Sequence, residues 1–184
     1  RYEPAELRAV VAEQSALSHD DLRANLVRFL KAVLPAAEEA GVVMSLHPDD
    51  PPRDLAGLCR IVRNADDIAR IFAAVPSDNS GLTLCTGSLG ANPANDVPQI
   101  ARRFAHKIRF AHLRNVTKDP DGSFMESDHL GGDVDMVEVI SILLEEQERR
   151  RRAGEKYATI PFRPDHGHEL IDDQSRPAHP GYPV

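Results

Sequence analysis

An α/β fold built on a parallel sheet is the class this sequence predicts. Two observations predict it. Short apolar, β-prone stretches alternate with longer stretches whose apolar residues recur at helical spacing. Gly and Pro residues punctuate that alternation, and no internal repeat or low-complexity linker breaks it. Strands alternating with helices imply parallel pairing through right-handed crossovers.

Ser18 is placed to cap a helix running to about Ala40. Leu22, Leu26, Phe29, Leu30, Val33, Leu34 and Ala37 line one of its faces, and Gly41 ends it. Pro35 lies inside this pattern and predicts a kink or a split. Residues 42 to 47, Val-Val-Met-Ser-Leu-His, read as a buried strand ending at His47 and stopped by Pro48. A helix follows from Asp66 to Ala74, then a strand over 81 to 85 ending at Cys85, then a helix near Val97 to Ala105. Lys107 to Leu113 reads as the third strand. A long helix from about Val134 to Arg152 turns Met136, Val139, Ile140, Leu143 and Leu144 inward. Its basic end, Arg149 to Arg152, reads as a solvated helix terminus that complements the helix dipole. Ala158 to Phe162 reads as the fourth strand, and the stretch after Leu170 as irregular. An open doubly wound sheet and a (β/α)8 barrel both accommodate this order. Four strands make half a barrel, and a whole one needs roughly 250 residues.

The chain has 184 residues, enough for one domain with a sizeable core. Hydrophobic residues at 41% and charged residues at 28% describe a globular protein rather than a disordered one. A formal charge of −7 argues against a general nucleic-acid binder, which carries a basic footprint. Cys59 and Cys85 are too few for a disulfide scaffold, so a reducing, cytoplasmic setting is expected. No apolar run approaches a membrane span.

The chemistry gathers at strand ends. His47, Cys85 and His112 end the first three predicted strands, and Asp165 follows the fourth. Parallel strands point the same way, so the four side chains share one rim, where both candidate folds place their sites. Two imidazoles, a thiolate and a carboxylate form a plausible shell for a first-row divalent metal. Arg114 and Arg163 have the fork geometry to grip a carboxylate, although either also suits a structural ion pair. His166 suits a general acid or base, or a role orienting Asp165. His129 lies in the loop after the third strand, on the same rim. From its place in a Pro-rich tail alone, Tyr182 reads as a packing residue.

Four segments stand out, His47-Pro48-Asp49-Asp50-Pro51-Pro52, Leu84-Cys85-Thr86-Gly87-Ser88-Leu89-Gly90, His112-Leu113-Arg114-Asn115-Val116 and Arg163-Pro164-Asp165-His166-Gly167. With Gly131 to Met136 and Pro180-Gly181-Tyr182-Pro183, they resemble the signatures of the mannonate dehydratase family in order and in spacing. The resemblance runs from about Phe29 to the end. It implies a TIM barrel, of which this chain supplies about the C-terminal half as part of a single catalytic domain. It implies dehydration of D-mannonate to 2-keto-3-deoxy-D-gluconate in hexuronate breakdown, with Mn²⁺ or alternatively Fe²⁺. It places metal ligands on His47, Cys85, His112 and Asp165, and a proton-transfer pair on His166 and Tyr182. Arg114, Asn115, His129 and Arg163 are the expected substrate contacts. A dimer or larger homo-oligomer acting on a small sugar acid is expected.

The family's chains extend further at both ends, and this one starts at Arg1 rather than Met. A half barrel exposes sheet edges, so a partner or the rest of its chain is expected to cover them. Two other readings fit the residues less closely. One is a different metal enzyme on the same scaffold, such as a sugar isomerase. The other is a remnant that binds metal without turnover.

Overall fold

The computed structural model describes residues 3–166. Six α-helices and six strands follow one another in this stretch. Helix α1 (Pro4–Gln14) starts with Pro at its first position, and Glu3 and Glu6 bond reciprocally to close its N-terminus. The sequence pattern does not predict this helix, which buries none of its residues. Helix α2 (His19–Glu39) begins at the predicted cap. The Ser18 hydroxyl accepts from the Asp21 amide while the Asp21 carboxylate accepts from Ser18. It runs through Pro35 as one helix rather than splitting there.

Strand β1 is shorter than predicted, Met44–Leu46. The Val42 amide is spent on the Ala37 carbonyl, finishing the helix end, and Gly41 makes the turn at φ +66. Helix α3 (Ala65–Ala74) is capped by Asn64, whose side chain accepts from two amides. Strand β2 (Ser80–Cys85) is buried along its whole length. A short helix, α4 (Thr86–Gly90), follows at once. Helix α5 (Val97–Phe104), capped by Asp96, leads through a 3₁₀ turn into strand β3 (Ile108–His112).

The stretch between β3 and the last helix, expected as plain loop, holds a hairpin of β4 (Val116–Lys118) and β5 (Phe124–Glu126). The Pro120-Asp121-Gly122 run at its tip is a turn signal, and Gly122 takes φ +87. Helix α6 (Met136–Arg152) is capped by Asp135. Its buried face is Met136, Val139, Ile142, Leu143, Glu146 and Arg150, and the predicted Leu144 is 58% exposed. Arg150, expected in a solvated helix end, is fully buried. The last strand, β6 (Phe162–Arg163), is shorter and later than predicted. The Ile160 amide is taken by the Gln147 side chain, which removes it from the sheet.

The sheet order is β1-β2-β3-β6, all pairs parallel. Leu82, Leu84, Ile108 and Ala111 pack with the inner faces of the helices into one apolar core. Ser45, Thr83 and Phe110, from β1 to β3, line a cavity of about 440 Å³ together with Arg109, Tyr157 and Thr159.

One irregularity decides where the chemistry points. Leu82 pairs with Ile108, but Thr83 pairs with Phe110, so β3 carries an extra residue, Arg109. In an unbroken strand Ile108 and His112 share a face, because side chains alternate with a period of two. The extra residue flips that parity. Ile108 and Ala111 therefore both face the core, and His112 comes to lie beside Cys85 on the other side. Gly81 makes room for this, since a β-carbon there would lie 2.2 Å from Arg109 Cγ.

Candidate metal centre

His47 sits one residue beyond β1, Cys85 ends β2, and His112 ends β3. The ligand atoms of these three side chains all lie within 4.8 Å of one another. His47 Nδ1 is 2.6 Å from the Pro48 carbonyl, which only accepts, so Nδ1 carries the hydrogen. Nε2 is then a lone pair in the neutral ring and a donor in the protonated one. It faces His112 Nδ1 at 3.1 Å. Two ring nitrogens pointed at each other beside a sulfur ask for a proton or a cation between them.

Cys85 is completely buried. Burial pushes its thiol up, but hydrogen bonds from His112, His47 and Ser88 outweigh that and bring it down to about 6. The Ser88 hydroxyl donates to Sγ at 3.0 Å from the first turn of α4. The same contact with Cys85 raises the His47 ring, with burial opposing. A thiolate ready at neutral pH is what a metal ligand requires.

Asp165 completes the predicted set at slightly longer range. Its Oδ2 lies 3.5 Å from His112 Nδ1, and its backbone adopts φ +69. Arg163 donates to its other oxygen at 2.6 Å, and His166 Nε2 lies 3.8 Å from Oδ2. The chemistry of this donor set, two nitrogens, one sulfur and one carboxylate, fits a divalent transition metal.

The other predicted contacts divide. His129 lies at this rim, with Nε2 3.1 Å from the Pro164 carbonyl. Asn115 is fully buried and fully used. Its amide donates to the carbonyls of His129 and Val134, and its oxygen accepts from the amides of Val116 and Val134. It ties the hairpin to the start of α6 and has no group left for a substrate. Arg114 is buried too, its guanidinium paired with Asp50 and Glu126. Both side chains are thus bonded within the protein, and Arg114 makes the ion pairs that its residue type also allows. Tyr182 lies outside the described residues.

A second group, His19, Asp54 and Cys59, also brings its ligand atoms within 4.8 Å. Here Arg63 already supplies the positive charge, with Nη1 3.5 Å from His19 Nε2 and 3.9 Å from Asp54. The Cys59 thiol donates to the Leu17 carbonyl.

The family model for D-mannonate dehydratase (UxuA) matches residues 3–184. The chain belongs to the D-mannonate dehydratase family. A mannonate dehydratase of Brucella canis is 56% identical over 164 residues, covering 89% of this chain and 40% of the relative. One from Rhizobium meliloti is 50% identical over 186 residues, covering all of this chain and 46% of the relative. This chain thus spans less than half the length of these curated family members. The crystal structure of mannonate dehydratase from Streptococcus suis serotype 2 superimposes with a TM-score of 0.83 at 36% identity. It covers 100% of this chain and 50% of that one. A xylose isomerase domain protein from Planctomyces limnophilus gives a TM-score of 0.57 at 18% identity, over 82% of this chain and 46% of that one. That second likeness is one of fold alone.

Proposed function

We propose that this chain carries the metal centre of a D-mannonate dehydratase, releasing 2-keto-3-deoxy-D-gluconate and water. The convergence of His47, Cys85 and His112 at one rim, with Asp165 behind His112, carries the reading. Membership of a family named for this reaction supports it. The same support extends to a (β/α)8 barrel of which this sheet is one arc. Four parallel strands run in one direction, β1-β2-β3-β6, without the reversal that marks a doubly wound sheet.

His47, Cys85, His112 and Asp165 would hold Mn²⁺ or alternatively Fe²⁺. When bound, the cation supplies Lewis-acid stabilisation of the charge that develops on the substrate carboxylate. The chain's own residues handle the protons. Loss of water from a 2,3-dihydroxy acid requires a base for the C2 proton and an acid for the departing C3 hydroxyl. Tyr182 is assigned as base and His166 as acid. The resulting enol takes a proton at C3 to become the 2-keto acid. Arg163 and His129 are assigned to hold the substrate, since both flank Asp165 at the rim.

The test is turnover of D-mannonate by this chain with Mn²⁺, with and without chelator. Chelator-sensitive appearance of the 2-keto-3-deoxy product is the expected result. A metal-loaded chain that leaves D-mannonate unchanged, or isomerises it, overturns the reading. His166→Asn should lower turnover sharply while the metal content stays at the wild-type level.

A further inference from the structure

Resting on the metal reading above, we propose that Arg114 is a positioning residue. It clamps together the rim segments that present His47, Cys85 and His112, and so sets the spacing of the metal ligands. Arg114 follows His112 by two residues and is only 4% exposed. Its side-chain stem lies against α4, the helix that Cys85 caps, and a β-carbon on Gly87 would lie 2.5 Å from Arg114 Cγ. Its guanidinium reaches two further segments. Nη1 donates to Asp50, three residues beyond His47. Nε and Nη2 donate to Glu126 on β5, at 2.9 Å and 2.6 Å.

The backbone closes the same knot. The Thr86 hydroxyl, next to Cys85, lies within hydrogen-bond distance of the His112 and Arg114 carbonyls. Asp49 anchors the far side of the β1 loop, its carboxylate accepting from the Ile61 and Val62 amides. One planar cation thus joins the segments after β1, β2 and β3 to the hairpin. Two carboxylates already more than neutralise it, so a substrate carboxylate would gain little there. A Lys cannot make these bonds, because an ammonium lacks the fork that spans two carboxylates.

The experiment loads the chain with Co²⁺, whose ligand-field bands and thiolate charge-transfer band report the ligand geometry directly. Glu126→Gln and Arg114→Lys are compared with Glu146→Gln, which breaks a buried carboxylate–arginine pair at the opposite end of the sheet. Each variant is measured for Co²⁺ affinity by chelator competition, for its absorption spectrum, and for melting by circular dichroism. The clamp variants, folded, should bind Co²⁺ about 10-fold more weakly with shifted ligand-field bands. Glu146→Gln should melt earlier yet keep the wild-type spectrum and affinity. If Arg114→Lys fails to fold, the milder Glu126→Gln decides. Folded clamp variants with unchanged affinity and spectrum overturn the proposal, as does an equal shift in Glu146→Gln. A wild-type chain that takes up no Co²⁺ overturns the metal reading itself, and the clamp with it.

Discussion

The two ends of the sheet each hold a buried arginine, and the two are wired differently. At the N-terminal end of the strands, Arg150 donates to three backbone carbonyls, those of Ala105, Ile108 and Tyr157, and to Glu146 on its own helix. Every partner belongs to the framework or to the connection leading toward β6. At the C-terminal end, Arg114 bonds through its guanidinium to two carboxylates on separate rim segments. The first arrangement fixes how the helix meets the sheet. The second fixes how loops stand around a cluster in which His47 Nε2 and His112 Nδ1 face each other at 3.1 Å. At one end Arg150 is matched bond for bond by carbonyls and a carboxylate. At the other, two nitrogens and a sulfur converge on one point, which is the geometry the proposed metal centre requires.

That contrast can be broken in order of size. Cys85→Ser removes the sulfur donor and should weaken metal binding by more than about 100-fold, since losing an outer-shell partner alone costs 10–100-fold. The fold should persist, as equilibrium dialysis beside circular dichroism would record. Arg150→Met should do the reverse. It leaves the Ala105, Ile108 and Tyr157 carbonyls without their donor, while Arg149 still pairs with Glu146, and should cost about 3 kcal/mol in denaturant unfolding, at about 1 kcal/mol for each lost bond. Whatever remains folded should still bind metal. Gly87→Ala tests the join between the two behaviours, because the new methyl meets the stem of Arg114. It should cost about 1–3 kcal/mol, with a loss of metal affinity that Arg150→Met does not show.

The smallest expected effect is one of pH. Hydrogen bonding to Arg149 holds the Glu146 carboxyl down to about 2, burial opposes, and Arg150 adds to the lowering. In the unfolded chain the same group titrates near 4.5. Its stabilisation is therefore complete above pH 4.5 and fades as the pH falls toward 2. In the metal-free chain, melting temperature should fall less steeply between pH 5 and 3 in Glu146→Gln than in wild type, with the pH values taken from that window.

Much of this architecture was legible in the residues. Apolar periodicity and the caps at Ser18 and Gly41 located α2, and the alternation of strands and helices located the rim carrying His47, Cys85 and His112. The features that the residues do not reveal have local causes. The extra residue in β3 that turns His112 toward Cys85 leaves no compositional mark, because Arg109 and Phe110 read like any strand pair. The hairpin did leave a mark, its Pro-Asp-Gly turn, but its strands are only three residues each. Asn115 and Arg150 look like surface residues by type. Each is buried because several of its bonds find partners in distant segments, which spacing along the chain does not reveal. Arg114 read equally well as a substrate grip or an ion-pair partner, and only the positions of Asp50 and Glu126 separate the two.

X-ray absorption on the Mn²⁺-loaded chain tests the central claim most directly. A first shell with one sulfur and two imidazole nitrogens, the sulfur lost in Cys85→Ser, is what His47, Cys85 and His112 predict. A shell of oxygen atoms alone, unchanged by that substitution, would contradict a metal centre at this rim.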